Sequence, residues 1–466
     1  MADSLRKAID SGRLAAGEWL PSSRALGETF GVHRHTAQLA VDALVAEGLL
    51  EVAPRKGARV AAQLPTASAP EASRSSPGFP GFRLRPDPVV ERLPELGPRI
   101  IALHAALPDA SLLPLSELRA AYGDVLRRTG AAHLSALEAW GAPDLRRELR
   151  RYLRRARSLV AEDVVLTHGS QEAIALLAQV LVAPGDVVAM EDPGYLPVRE
   201  MFESLGAELA PVPVDDQGLQ VDRLTALLRK RAVRCVYVTP NHQYPTTVSM
   251  SAPRRAALLE TTRRHGVPIV EDDYDHEYHY QGVPQAPLAS WPGASHVLYV
   301  ATLSKLVAPA VRLGLLAGDR TVLEAVARRR RLTSRANDGI TQAALASWMR
   351  EGGFERHLRR ARRVYATRRE AALEELAAAA RKVAFSFDSP AGGLAIWTHW
   401  PDHDVLALAR RAYARGVLVL PEAALTRRPD AHGMRLAFGH LAPPLFAQGV
   451  RRLVEAAQTK SARPLR

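Results

Sequence analysis

Lys305 has the most chemical promise of any residue in this 466-residue chain. Lysine and arginine together number 62, yet only six are lysines: Lys7, Lys56, Lys230, Lys305, Lys382 and Lys460. The others adjoin an arginine or lie in a polar tail. Lys305 follows an apolar run, His296 to Leu303, that reads as a buried strand. Thr302 and Ser304 precede it, and Arg312 stands seven residues beyond. A solitary amine at a strand mouth, among hydroxyls and near a guanidinium, suits a Schiff-base lysine beside a phosphate. On this segment alone, a surface lysine in a loop is the competing reading.

Three other segments belong with it. Thr167-His-Gly-Ser-Gln-Glu-Ala ends a strand and opens a helix. Backbone N–H groups at a helix start attract phosphate, Gly169 allows close approach, and Ser170 and Gln171 add side-chain donors. Glu191-Asp-Pro-Gly-Tyr puts Tyr195 just after a strand, where its ring could stack on a flat heterocycle. Ile269-Val-Glu-Asp-Asp-Tyr also follows a strand. A carboxylate there can hold a protonated pyridine nitrogen, and a phenol two residues on can bond a ring oxygen. Asp272, Asp273 and Asp275 could instead form a solvated acidic loop or ligate a metal, but Tyr274 and Tyr278 do not help a divalent site, and no metal is expected. Taken together, the four segments describe a pyridoxal 5′-phosphate site at the carboxyl edge of a sheet.

These segments need a scaffold. From about Ile100, apolar strands alternate with helical patterns: Val164 to Thr167, Val187 to Met190, Cys235 to Val238, Pro268 to Glu271, Val297 to Val300 and Leu313 to Leu316. That alternation predicts an α/β domain with a mostly parallel sheet. Long helices are expected from Asp338 to about Arg381, then a smaller α+β lobe. No run of 18 apolar residues is present, so no membrane span is expected. No secretory signal is visible, and the single cysteine, Cys235, reads as an inert core residue in a reducing cytoplasm. The net charge of +13 hints weakly at nucleic acid. Its densest stretches, Arg328 to Arg331 and Arg356 to Arg369, read as solvated helix faces.

Residues 1–62 form a separate module, and 63–98, rich in Pro, Ala, Ser and Gly, reads as a linker before a domain over 99–466. Within the module, Leu20 to Ala37 reads as helix, tight turn, helix. Ser22 or Ser23 can cap the first helix and Gly31 can stop it. The second helix aligns Ala37, Ala40, Val41, Leu44 and Val45 on an inward stripe. Arg34, His35 and Gln38 fall off that stripe near the helix start, where a helix-turn-helix reaches base edges. A hairpin follows with Arg55 and Lys56 at its tip, the shape of a wing that contacts phosphates. The plain alternative is a small helical pair with a charged hairpin and no ligand. Placement favours DNA, since Arg24, Arg34, Arg55 and Lys56 cluster at the turn, the second helix start and the wing.

The string LPSSRALGETFGVHRHTAQLAVDALVAEGLL resembles the winged helix-turn-helix of GntR-family transcriptional regulators. In that family the first helix is usually longer; here only Met1 to Ser11 precede Gly12-Arg-Leu. The larger segment resembles fold-type I aminotransferases through GSQEA, EDPGY, VTPNHQYPTT, IVEDDYD, TLSK and RLG, in that order. Both together resemble the MocR subfamily of GntR-type regulators. The resemblance implies a small α+β winged helix-turn-helix followed by a large α/β, aspartate aminotransferase-like domain that binds pyridoxal 5′-phosphate. It implies Lys305 as the Schiff-base lysine, Asp272 at the pyridine nitrogen, Tyr274 at the ring oxygen and Tyr195 on the ring. Ser170, Gln171, Thr302 and Arg312 would hold the phosphate, and Arg435 an amino-acid carboxylate. On the DNA side it implies Ser22, Ser23, Arg24, Arg34, His35, Thr36, Gln38, Arg55 and Lys56. Tyr244 stands where many aminotransferases have Asn, as is usual in the regulator branch, and Thr247 replaces a Gly. Asn241 and His242 are further ligand-contact candidates. The expected protein is a cytoplasmic homodimer that binds a double-stranded operator and responds to an amino acid, amine or vitamer. The alternatives are a working aminotransferase and a DNA-binding protein with a cofactor-free scaffold.

Overall fold

The computed structural model describes residues 1–53, 56–62, 97, 99–135, 138–426, 428 and 430–459. Its contacts divide the chain into two units, Met1–Pro86 and Asp87–Arg466. Arg55 and, apart from Gly97, the linker expected over 63–98 lie outside the described residues.

The first unit holds helices Ala2–Asp10, Ser23–Phe30 and Arg34–Ala46, then a hairpin of Leu50–Ala53 with Gly57–Val60. Ser22 rather than Ser23 is the N-cap of the second helix, its side chain accepting from the Ala25 N–H. Gly31 ends that helix with φ of 64°, a left-handed turn that suits glycine. The first helix is short, but it still buries Leu5 and Ile9 against Leu26, Ala37, Val41 and Leu44. Ala40 and Val45, expected on the inward stripe, are only half-buried.

The second unit is built on an eight-stranded sheet. Its order is Val165–Thr167, Gly314–Ala317, Val297–Thr302, Ile269–Asp273, Val233–Val238, Val187–Asp192, Glu208–Asp215 and Gly218–Leu219. Only Gly314–Ala317 and Gly218–Leu219 run against the common direction. The central strands are buried along almost their whole length, as continuous Val, Ile and Leu runs require when helices cover both faces. Glu208–Asp215 was not legible as a strand: Pro211 and Pro213 interrupt it, and only Ala210 and Val212 are fully buried. Helices Gly339–Arg350 and Gly353–Ala380 lead to a smaller lobe. There Ser386–Phe387, Ala395–His399, Gly433–Ala437 and Leu420–Pro421 form an antiparallel sheet.

The arginine-rich stretches are not simply solvated faces. Arg330 is fully buried and donates to the Ala139 carbonyl at 2.8 Å and to Asn337. Arg369 is buried too, donating to the Pro390 carbonyl at 2.9 Å and the Ser389 hydroxyl at 2.6 Å. Burying a guanidinium is tolerated only when its N–H groups find such acceptors. Cys235 is fully buried, and burial pushes its thiol up to about 12. Among the described residues no helix is long and apolar enough to cross a membrane.

Candidate cofactor cavity and nucleic-acid interface

A cavity of about 720 Å³ opens at the carboxyl ends of the central strands. Every residue that the resemblance assigns to the cofactor or to a ligand carboxylate lines it. Ser170 and Gln171 come from a helix start, Tyr195 from the loop after Val187–Asp192, and Asp272 and Tyr274 from the end of Ile269–Asp273. Thr302, Lys305 and Arg312 follow Val297–Thr302, and Arg435 reaches in from the smaller lobe.

Strand alternation separates the two neighbouring aspartates. Asp272 faces the cavity, where its Oδ2 accepts from the Tyr237 hydroxyl at 2.8 Å. Its Oδ1 is buried with no partner. Burial lifts this carboxyl to about 7, against the Tyr237 hydrogen bond and the nearby Lys305. Asp273 points the other way and accepts from Arg157 at 2.6 Å, Asn241 at 2.6 Å and Tyr299 at 2.7 Å. Burial would raise it, but the Arg157 guanidinium and these donors hold it well below the usual carboxylate range. Asp275 pairs with His242 Nδ1 at 2.6 Å. All three aspartates are buried, which corrects the solvated-loop alternative.

Lys305 Nζ donates to the Ala106 carbonyl at 2.7 Å. Burial lowers its pKa to about 8, helped by Arg435 and opposed by Asp275 and Asp272. An amine held there is far more readily neutral, and so nucleophilic, than a surface lysine.

At the other end of the cavity the helix Gly169–Leu181 begins with no side-chain cap from His168, and its first residues, Gly169, Ser170 and Gln171, line the wall. Gly169 has φ of 81°, and a Cβ there would lie 3.6 Å from the Arg312 guanidinium. Gly314 permits the approach, since its Cβ would fall 2.5 Å from the Gly169 carbonyl carbon. Arg312 also donates to the His168 carbonyl at 2.8 Å. The Thr302 hydroxyl accepts from the Ser304 N–H at 3.1 Å.

Arg435 is 2% exposed, so it is not in a surface ion pair. Its guanidinium lies 4.9 Å from the Tyr244 ring centroid, its Nε has no partner, and no carboxylate pairs with it among the described residues. Tyr244 also meets Tyr195 edge to face at 4.9 Å and Tyr274 at 6.4 Å. The Tyr274 hydroxyl donates to the His242 carbonyl at 2.8 Å. Thr247, in the family's glycine position, keeps a glycine-like φ of 64°.

Asn241 and His242 do not line the cavity. Both are held by Asp273 and Asp275 and face a separate small pocket with Arg157 and His276. Sequence reasoning also missed wall residues, Tyr237 and His104 among them, and gave Ser304 no role beyond its place beside Lys305. Tyr237 carried a signal, because alternation puts it on the same face as Cys235, beside the strand of Asp272. Ser304 has a buried, unpartnered hydroxyl, and for His104 no signal existed.

In the first unit Ser23, Arg24, Arg34, His35, Thr36, Gln38 and Lys56 are at least partly exposed, around one helix-turn-helix edge and the hairpin. Ser23 Oγ donates to Gln38 Oε1 at 2.6 Å, and Gln38 Nε2 donates to Asp42 at 2.9 Å. Arg24 pairs with Glu28 at 3.3 Å. His33, not singled out from sequence, caps the second helix of the motif by accepting from the His35 N–H.

Comparison with known proteins agrees with this division. Residues 1–60 match the family of bacterial regulatory proteins, gntR family, and residues 120–440 match aminotransferase class I and II. A probable rhizopine catabolism regulatory protein, MocR, of Rhizobium meliloti is 33% identical over 79% of this chain and 74% of its own length. The HTH-type transcriptional regulator TauR of Rhodobacter capsulatus is 31% identical over 96% of this chain and 94% of its own. Among solved structures, the α-aminoadipate aminotransferase LysN of Thermus thermophilus superposes with a TM-score of 0.71. It is 27% identical, covering 78% of this chain and 93% of that one. A gntR-type reading head and a class I and II aminotransferase domain in one chain make this protein a member of the MocR type of GntR-family transcriptional regulators.

Proposed function

We propose that this regulator binds pyridoxal 5′-phosphate at Lys305 and uses it to sense an amino acid or a related amine or vitamer. The observation that carries the reading is a cavity with two unanswered buried groups. Among the described residues Asp272 Oδ1 has no donor and Arg435 has no anion. A cationic ring nitrogen answers the first and a carboxylate the second, and burial of either group without its partner is costly. The uncapped helix start beside Arg312 fits a phosphate. LysN, the similar aminotransferase, is complexed with N-(5′-phosphopyridoxyl)-L-leucine.

When bound, the cofactor supplies an electrophilic aldehyde and an electron-withdrawing ring. The chain supplies the rest. Lys305 offers an amine that is largely neutral above about pH 8. Asp272, once ionised, holds the ring nitrogen protonated. Ser170, Gln171, Thr302 and Arg312 anchor the phosphate, Tyr195 covers the ring and Tyr274 lies near the ring oxygen. Arg435 holds the ligand's carboxylate, its planar fork suiting two parallel bonds. Residues 1–62 are the DNA-binding domain, 63–98 the linker and 99–466 the effector domain. Ser22, Ser23, Arg24, Arg34, His35, Thr36, Gln38, Arg55 and Lys56 face an operator, and the working protein is a cytoplasmic homodimer reading two half-sites.

A second reading, retained aminotransferase turnover, is favoured by one observation: the Lys305 amine is buried and eased toward neutrality, as a proton-transferring base must be. Single-turnover assays with amino acids and 2-oxo acids distinguish it from pure sensing.

The test of the main reading is hydride reduction followed by peptide mass spectrometry. A pyridoxyl adduct on the Lys305 peptide is expected, and Lys305→Ala should lose both the adduct and the visible absorption while keeping operator binding. An intact, cofactor-loaded protein with no adduct at Lys305 would refute it.

A further inference from the structure

The helix Arg34–Ala46 buries Ala37, Val41 and Leu44. At about 100° per residue these three define the inward direction, and Leu39 falls almost diametrically opposite. It is 55% exposed, although a leucine facing water gains nothing by being there. His35, one turn earlier, shares this outward face and is exposed as well. Gln38, by contrast, lies to the flank and is tied to Ser23 at 2.6 Å and Asp42 at 2.9 Å. Arg34, at the helix start, lies about 140° round the helix from Leu39, nearer the buried stripe. The centre of the outward face is therefore apolar, with the exposed His35 one turn before it. The one apolar group that the major groove offers to such a face is the thymine 5-methyl.

We propose that Leu39 is a specificity-determining residue that selects thymine at one position of each half-site through contact with its methyl group. This rests on the DNA-binding reading, which would fail separately, as an absence of retention on any duplex.

The test uses the full-length protein and sites enriched from a random duplex pool. Each thymine of an enriched site is replaced in turn by deoxyuridine, which removes only the methyl, and affinities of wild type and Leu39→Ala are measured by fluorescence anisotropy. At one position per half-site, deoxyuridine should weaken the wild type about three- to ten-fold and leave Leu39→Ala unchanged. Leu39→Ala should lose the same factor on the thymine duplex and unfold at the wild-type temperature, since the side chain is exposed. Equal affinities of both proteins on every duplex would overturn the proposal. So would a Leu39→Ala loss of the same size on thymine and deoxyuridine duplexes, which would assign the residue to contact with a second copy.

Discussion

On the recognition helix Arg34 and His35 stand in solvent, whereas in the larger unit the buried Asp272 and Arg435 and the half-buried Lys305 surround one cavity. The exposed set keeps its ordinary hydration and acts through a field screened over about 8 Å at physiological salt. It suits a polyanion met along many contacts. The buried set has lost that hydration, so the protonation of Asp272 and Lys305 is shifted and each group needs a specific partner. One chain thus pairs an exposed, charged helix edge with a cavity lined by buried ionisable groups.

The sharpest way to break this contrast is to remove a partner inside the larger unit. Arg157, 4% exposed, answers Asp273 at 2.6 Å. Arg157→Ala should cost about 3–5 kcal/mol, because it strands a buried carboxylate. Denaturant melts read the loss, and a cost below about 1 kcal/mol would show that Tyr299 and Asn241 suffice. Cofactor uptake should fall with it, since Asp273 sits next to Asp272 on one strand.

A second, smaller effect lies in pH. Asp272 rises from its ordinary value of 3.8 to about 7 in the fold. The stability it contributes is complete below its unfolded value and is lost as pH rises through about 7, because the unfolded chain ionises first. Stripped of cofactor, wild type should lose stability relative to Asp272→Asn between about pH 4 and 7, by a few kcal/mol at most. Parallel stability curves for the two proteins would refute this. With cofactor bound the difference should vanish or reverse, since the ring cation stabilises the ionised carboxylate.

The smallest effect belongs to the exposed set. Arg34→Ala should weaken operator binding by about 1 kcal/mol or somewhat more and leave the visible absorption untouched. If Arg34 meets a phosphate, the dependence of affinity on salt should drop by about one counterion. Identical binding at several salt concentrations would remove Arg34 from the interface.

Much of both sites was legible before any coordinates. Helix caps, turn glycines and apolar periodicity are local, so Ser22, Gly31 and the strand ends carrying Lys305 and Asp272 could be read directly. Errors arose where the neighbour is distant in sequence. Asn241 and His242 follow a strand end, as ligand residues do, yet Asp273 and Asp275 hold them away from the cavity. Arg330 and Arg369 look like surface arginines until the carbonyls of Ala139 and Pro390 arrive to accept from them.

The order of residues along the chain determined the two-part architecture, the element types and the chemical inventory, because these depend on near neighbours and on motif spacing. Tertiary structure alone decided what holds Asp273 away from the cavity and that Arg435 is buried with no counter-charge among the described residues. It also left Leu39 alone at the centre of an outward face. Protonation and accessibility depend on everything within a few ångströms, and those neighbours come from segments tens to hundreds of residues apart.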